Sequence, residues 1–319
     1  MAMTRPEIDL QTMRILRAVA DTGSLSGAAR DLGFSQPAIS QHLSRSAQKL
    51  GLPLVTRSGR GVRLTEAGAA LARHAVTVQS ALDAASGELD DLIGLRSGSL
   101  RIAAFPTASA TVVPRLLGGM SERHPGMRLS YVEAEPPEAL ELLRHGRVDI
   151  AITFRYPDDW NDPHTRVGDE LVTVALFDDE VLIAERMTAP QDERPSARGS
   201  LADYSDDDWI AGCPQCRGNL LQACQAAGFH PRIAHETDHA AAVLGLVENG
   251  FGVAQLPRLA FASATVPEHV RLSRVSGLPH RTVYAVALRA ASGVPAVAAA
   301  LRVASELDTS DWTESSAPA

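Results

Sequence analysis

Between residues 24 and 51 a short apolar segment and a longer one are separated by Gly33, and few soluble folds accommodate that spacing. Ala28, Ala29 and Leu32 predict a short helix, closed by Gly33 in the left-handed conformation that a residue without Cβ adopts cheaply. A longer helix opens at Ser35, whose hydroxyl suits free backbone N–H groups, and Pro37 falls in the first turn, where no intrahelical donor is needed. Ile39, Leu43, Ala47 and Leu50 give that helix its inward stripe. Upstream, Leu10, Met13, Leu16, Val19 and Ala20 recur at helical spacing, so a first helix ends near Thr22, ahead of Gly23. The arrangement predicts a helix-turn-helix.

The outward face of the longer helix carries Gln36, Ser40, Gln41, Ser44, Arg45 and Gln48, whose amide and guanidinium groups match base edges in a major groove. Residues 54–65 read as two short strands around a glycine-containing tip, a wing projecting Arg57, Arg60 and Arg63 toward the DNA backbone or minor groove. The net charge of −8 does not oppose this, because charge is divided unevenly. Residues 1–65 hold nine Lys or Arg against four Asp or Glu, and residues 66–319 hold 21 against 34.

The run Ser35-Gln36-Pro37-Ala38-Ile39-Ser40, then Leu50-Gly51, Leu54, Arg57 and Leu64-Thr65-Glu66-Ala67-Gly68, resembles the DNA-binding segment of LysR-type transcriptional regulators over about sixty residues. Ser46 and Ala47 stand where that family carries a Leu-Glu pair, and Val55 where it carries an aromatic residue. The resemblance implies DNA contacts by Ser35, Gln36, Pro37, Ala38, Ser40, Gln41 and Arg45, with Arg57, Arg60 and Arg63 on phosphates. It also implies promoter DNA, a small-molecule effector and further copies of the chain as partners, with RNA polymerase as one more candidate.

Residues 66–93 contain no proline, and Ala67, Leu71, Ala75, Val78, Leu82, Ala85, Leu89 and Leu92 follow steps of four and three. That seam predicts a helix of about 42 Å, started by Thr65 and ended by Gly94, which pairs with its copy in a homodimer or homotetramer. The expected division is a winged helix-turn-helix over 1–65, this linker over 66–94, and an effector domain over 95–307. The remaining 308–319, rich in Ser and Thr, reads as disordered.

From residue 99 strands and helices alternate, which predicts α/β layers. Two lobes are expected, one over 95–171 and 268–307 and the other over 172–267. Leu100-Arg101-Ile102-Ala103, Val148-Asp149-Ile150-Ala151 and Gly250-Phe251-Gly252-Val253-Ala254 are similar to LysR-type effector domains, whose fold is like that of periplasmic solute-binding proteins. Ligands in such folds sit beyond the carboxyl ends of strands. The candidate pocket is therefore Thr107, Ala108, Ser109, Glu133, Phe154 and Arg155, facing Gly212, Cys213, Thr237, Asp238 and Gln255. Hydroxyls and N–H groups before helices suit an anion there, although Asp238 reads most simply as a helix cap.

His235-Glu236-Thr237-Asp238-His239 spells the zinc-protease pattern, but that chemistry needs both imidazoles on one helix, and here a strand and loop precede the helix. Cys213 and Cys216 form C-x-x-C where a helix opens, leaving a redox- or metal-sensing regulator as an alternative. A solute-binding protein or metal-dependent hydrolase is the reading from another class. No metal, cofactor or enzymatic constellation is expected. The charged first twenty residues and the brief apolar stretch at 294–301 predict no signal peptide, no membrane partner and a cytoplasmic location.

Overall fold

The computed structural model describes residues 8–58, 61–92, 98–157, 162–166, 170–187, 198–262 and 264–313. The chain divides into two compact units, Met1–Leu92 with Arg144–Gly146, and Ile93–Leu143 with Arg147–Ala319.

In the first unit, helices α1 (Leu10–Thr22), α2 (Leu25–Leu32) and α3 (Gln36–Leu50) are each closed by a left-handed glycine, Gly23, Gly33 and Gly51. Their starts are capped by Asp9, Ser24 and Ser35, whose side chains accept from the N–H groups of Thr12, Gly27 and Ala38. Ile15, Leu16, Val19, Ala28, Ile39, Leu43 and Leu54 form one buried cluster. Ser46 joins the buried side of α3, while Ala47 and Leu50 are half-buried. The Ser46 hydroxyl lies 2.6 Å from that of Thr12, which also donates to Asp9. A polar seam thus ties α3 to α1 beside the apolar one.

Strands β1 (Val55–Ser58) and β2 (Gly61–Leu64) pair antiparallel, with Val55 opposite Leu64. Helix α4 (Glu66–Leu92) follows, its start capped by the Thr65 hydroxyl, which accepts from Gly68 N–H. A Cβ at Gly68 would strike the Leu54 carbonyl oxygen, so the glycine lets α4 lie against the wing's base. The seam divides. Ala67 and Leu71 pack against the helix-turn-helix core, whereas Val78 and Leu82 are exposed within the chain. Residues 93 and 94, where this helix was expected to end, lie outside the described residues.

The second unit begins with β3 (Ser99–Ala104), then α5 (Pro106–Ala110), α6 (Val112–Arg123), β4 (Arg128–Glu133), α7 (Pro136–Arg144), β5 (Ile150–Arg155) and β6 (Leu171–Asp179). It continues through β7 (Val181–Arg186), β8 (Asp208–Ala211), α8 (Pro214–Ala226), β9 (Arg232–Glu236), α9 (Ala240–Glu248), β10 (Val253–Pro257) and β11 (Val270–Ser273). Strand β12 (Arg281–Leu288), α10 (Pro295–Ser305) and α11 (Ser310–Thr313) complete it.

Two five-stranded sheets result, in the orders β4-β3-β5-β12-β6 and β11-β7-β10-β8-β9. In the first, β3 is parallel to β4 and β5, and β12 runs antiparallel between β5 and β6. Leu100, Ile102 and Ile152 face α6 and α10 on one side, and Ala103, Ala151 and Val286 face α7 on the other. In the second sheet β8 is parallel to β9 and β10, while β7 is antiparallel to β10 and β11.

Three expectations are corrected. Residues 172–179 belong to the first sheet as part of β6, so the chain crosses over at Glu180 rather than near 172. Residues 270–273 form the edge of the second sheet and do not finish the first; pairing with β7 holds them there. The tail is ordered through Thr313: Trp312 is 2% exposed, against Phe177 at 5.4 Å between ring centroids and beneath the Arg115 guanidinium at 4.3 Å. Residues 314–319 lie outside the described residues.

Candidate functional site

Two surfaces carry the residues of interest, one in each unit. On α3, Gln36, Pro37, Ala38, Gln41, Ser44, Arg45 and Gln48 are exposed and Ser40 is half-buried, so the face opposite Ile39 and Leu43 is open and polar. Ser35 is spent on the cap, accepting from Ala38 N–H at 3.4 Å. Arg63 is exposed on β2; Arg60 and the side chain of Arg57 lie outside the described residues.

In the second unit the parallel strands of both sheets end at one cleft, a cavity partly open to solvent. Thr107, Phe154, Gly212, Cys213, Thr237, Asp238 and Gln255 all line it. Four expected residues do not. Ala108 is buried inside α5, and the Ser109 hydroxyl donates to the Ala104 carbonyl. Glu133 ends strand β4 exposed, and it is Glu135, past the strand end, that reaches the cavity. Side chains alternate along β5, so Arg155 turns away from Phe154 and pairs with Asp162 at 2.6 Å.

Asp238 is not the cap of α9. The cap position is His239, and the Thr237 hydroxyl accepts from His239 N–H, which leaves the Asp238 carboxylate at the cavity wall. His235 stands on β9, edge-on to Phe251, so the two histidines of the zinc-like pattern occupy different elements.

The residue that sequence reasoning missed is Arg281. It is the first residue of an antiparallel strand, so it enters the cavity at the edge where only carboxyl ends were sought. Its guanidinium donates to Asp179 at 2.9 and 2.8 Å and to the Thr107 hydroxyl at 3.1 Å, and stacks over Phe154 at 4.3 Å. Burial opposes its charge, but Asp179 overcomes this and holds its pKa above the ordinary arginine value. The cavity lining also carries the carboxyl groups of Glu135 and Asp238.

Cys213 caps α8, and its thiol lies 3.2 Å from the Cys216 sulfur. The Tyr156 hydroxyl donates to Cys216 at 3.6 Å. The hydrogen bond from Cys213 lowers the Cys216 pKa, and that same bond, with burial, raises the Cys213 pKa far above the usual thiol range. Burial pushes the Glu135 carboxyl up.

Comparison with known proteins matches both parts of the chain to one family. Residues 10–69 match the model of the "bacterial regulatory helix-turn-helix protein, lysR family", and residues 94–308 that of the "LysR substrate binding domain". The chain is 29% identical over 296 residues to a probable HTH-type transcriptional regulator, LrrA, of Synechococcus elongatus, covering 93% of this chain and 96% of that one. It is 32% identical over 258 residues to a probable hydrogen peroxide-inducible genes activator of Mycobacterium avium, covering 78% and 77%. A full-length OxyR variant from Pseudomonas aeruginosa shares the fold with a TM-score of 0.65 at 22% identity, covering 94% of this chain and 97% of that one. Among the described residues no helix is long and apolar enough to cross a membrane. With a helix-turn-helix at one end and a two-sheet effector domain filling the rest, this chain belongs to the LysR family of transcriptional regulators, DNA-binding proteins rather than enzymes.

Proposed function

We propose that the protein acts in the cytoplasm as a promoter-binding regulator whose DNA affinity is set by a small molecule held between the two lobes of its effector domain. The observation that carries this reading is the cavity where both sheets end, in a chain whose helix α3 presents an open polar face. Gln36, Gln41 and Arg45 project from that face and suit base edges; Arg63, on the wing, suits phosphates. Val78 and Leu82 lie open on α4 and fit a second copy of the helix, which would present two recognition helices to two half-sites. An occupant that touches both lobes changes their relative angle, and by linkage ligand and DNA alter each other's affinity equally.

The test is a gel-shift titration of the full-length protein against the intergenic fragment upstream of its own gene, across a series of salt concentrations. Binding should weaken steeply as salt rises. Arg63→Ala should lower the slope by about one with sequence preference intact, and Gln41→Ala should relax preference with the slope intact. Treatment with a chelator should change neither. A monomeric protein that binds the promoter fragment no better than unrelated DNA would overturn the proposal.

A further inference from the structure

The C-x-x-C pair lies on the cavity wall, where the regulator reading alone gives it no role. Cys216 lines the cavity and stands at the third position of α8, a helix of 13 residues, with its backbone N–H donating to the Cys213 sulfur at 3.5 Å. Two hydrogen-bond donors address its sulfur: the Cys213 thiol at 3.2 Å and the Tyr156 hydroxyl at 3.6 Å. They come from different lobes, Cys213 from the end of β8 and Tyr156 from the end of β5. Both contacts favour the thiolate form, and the one from Cys213, with Arg281 and Tyr156, lowers the Cys216 pKa against the opposing effects of burial and the nearby Glu135 carboxyl. The third cysteine makes the contrast: Cys224 is buried, and burial pushes its pKa up to about 12.

Across the same cavity Thr107 offers a polarised hydroxyl. Its oxygen accepts from the buried Arg281 guanidinium, so its own O–H remains to donate to an acceptor in the cavity. The cavity wall carries the apolar and aromatic side chains of Phe105, Phe154, Val243 and Leu256 beside Glu135, Asp238, Gln255 and Arg281. A thiolate, apolar wall surface and a donor backed by a cation are together what conjugate addition to a carbonyl compound requires.

We propose that the cleft takes an α,β-unsaturated carbonyl compound as a covalent occupant at Cys216, with its carbonyl oxygen on Thr107. The proposal rests on the reading of this cleft as the effector pocket and names the effector's chemical class. The Cys216 thiolate adds to the β-carbon; a C–S bond forms as the C=C π pair shifts to join the α-carbon and carbonyl carbon and the C=O π pair moves onto the oxygen. Thr107 and, behind it, Arg281 stabilise the resulting enolate, whose α-carbon then takes a proton from water at the open mouth. No oxidant is consumed. The adduct joins a ligand to α8 of one lobe while it hydrogen-bonds to the other, which fixes the cleft in one state.

The probe is 2-cyclohexen-1-one, with saturated cyclohexanone as control, applied to reduced full-length protein and followed by intact mass and peptide mapping. One adduct at Cys216 is expected, formed roughly tenfold faster than with free N-acetylcysteine at neutral pH, and none from the ketone. Thr107→Val and Cys213→Ala should each slow it several-fold, and Cys213→Ser, which keeps a donor, less. The adduct should shift promoter affinity in the gel-shift titration. Labelling of Cys213 or Cys224 instead, a rate equal to that of N-acetylcysteine, a Cys213–Cys216 disulfide as sole product, or an adduct without effect on DNA affinity would each overturn the proposal. The two readings fail separately: untreated protein indifferent to promoter DNA removes the regulator, whereas a Cys216 that stays unmodified removes only the covalent effector.

Discussion

The hydroxyls of Thr12 and Ser46 lie 2.6 Å apart, joining the first helix of the DNA-binding unit to the second half of its recognition helix. His42 lies 3.0 Å from the same Thr12 oxygen, and Ser46 donates back to the His42 carbonyl. Ser46 therefore fills with hydrogen bonds a position where the family carries leucine. Ser46→Ala should destabilise this unit by about 1 kcal/mol, the usual net value of one such bond, measured by urea denaturation. A loss indistinguishable from zero would show that Thr12 is satisfied by Asp9 and His42 alone.

Trp312 predicts that the last described residues are structural. Its ring is packed on Phe177 and under Arg115, so Trp312→Ala removes a buried aromatic and a cation–π contact together. The expected cost is about 3 to 5 kcal/mol in the effector domain, read from chemical denaturation, with earlier proteolytic trimming after Leu307. Unchanged stability and unchanged trimming would place α11 outside the cooperative fold.

Asp179 and Arg281 form an ion pair 0% and 2% exposed at the side chains. Asp179 also accepts from the Leu259 N–H, so it ties the first lobe's sheet to a segment following β10 of the second. Asp179→Asn leaves a buried guanidinium unbalanced and should cost about 3 to 5 kcal/mol. Asp179→Leu paired with Arg281→Met should recover most of that loss in a double-mutant cycle; a purely additive result would mean the two residues do not interact energetically.

Acid should weaken the effector domain in part through Asp162. Burial raises its pKa, but the hydrogen bonds from His164 and the Arg155 guanidinium more than offset this, and the folded value lies below the ordinary 3.8. A depressed carboxyl contributes stability that is fully present above its unfolded pKa and is lost as pH falls through the folded one. Asp162→Asn should therefore flatten the stability profile between about pH 5 and pH 2, tracked by tryptophan fluorescence. A variant whose profile keeps the wild-type slope would assign the acid sensitivity elsewhere.

The helix-turn-helix was legible because its signals are local. Asp9, Ser24 and Ser35 cap, Gly23, Gly33 and Gly51 close, and the stripe between them repeats at helical spacing. The alternation of strand and helix in the effector domain was legible for the same reason. The crossover at Glu180 was not: residues 171–186 form one run without glycine or proline, and what divides it is the register of Asp179 against Arg281, 102 residues on. Glu135 was missed in favour of Glu133 because β4 runs one residue beyond Val132 and takes Glu133 into the strand, and Arg281 because it opens an antiparallel strand. Trp312 sat in a stretch whose polar composition concealed one well-packed ring. Local chemistry fixes elements; pairing across the chain fixes which sheet they join.

One consequence concerns synthesis on the ribosome. Strand β12, residues 281–288, is the fourth strand in the order of a sheet whose other four members are all made before residue 180. Until those late residues emerge, β5 and β6 have no partner between them, and both expose unpaired backbone edges. The DNA-binding unit, built almost wholly from the first 92 residues, can reach its native contacts while the lobe that governs it is still waiting for its keystone.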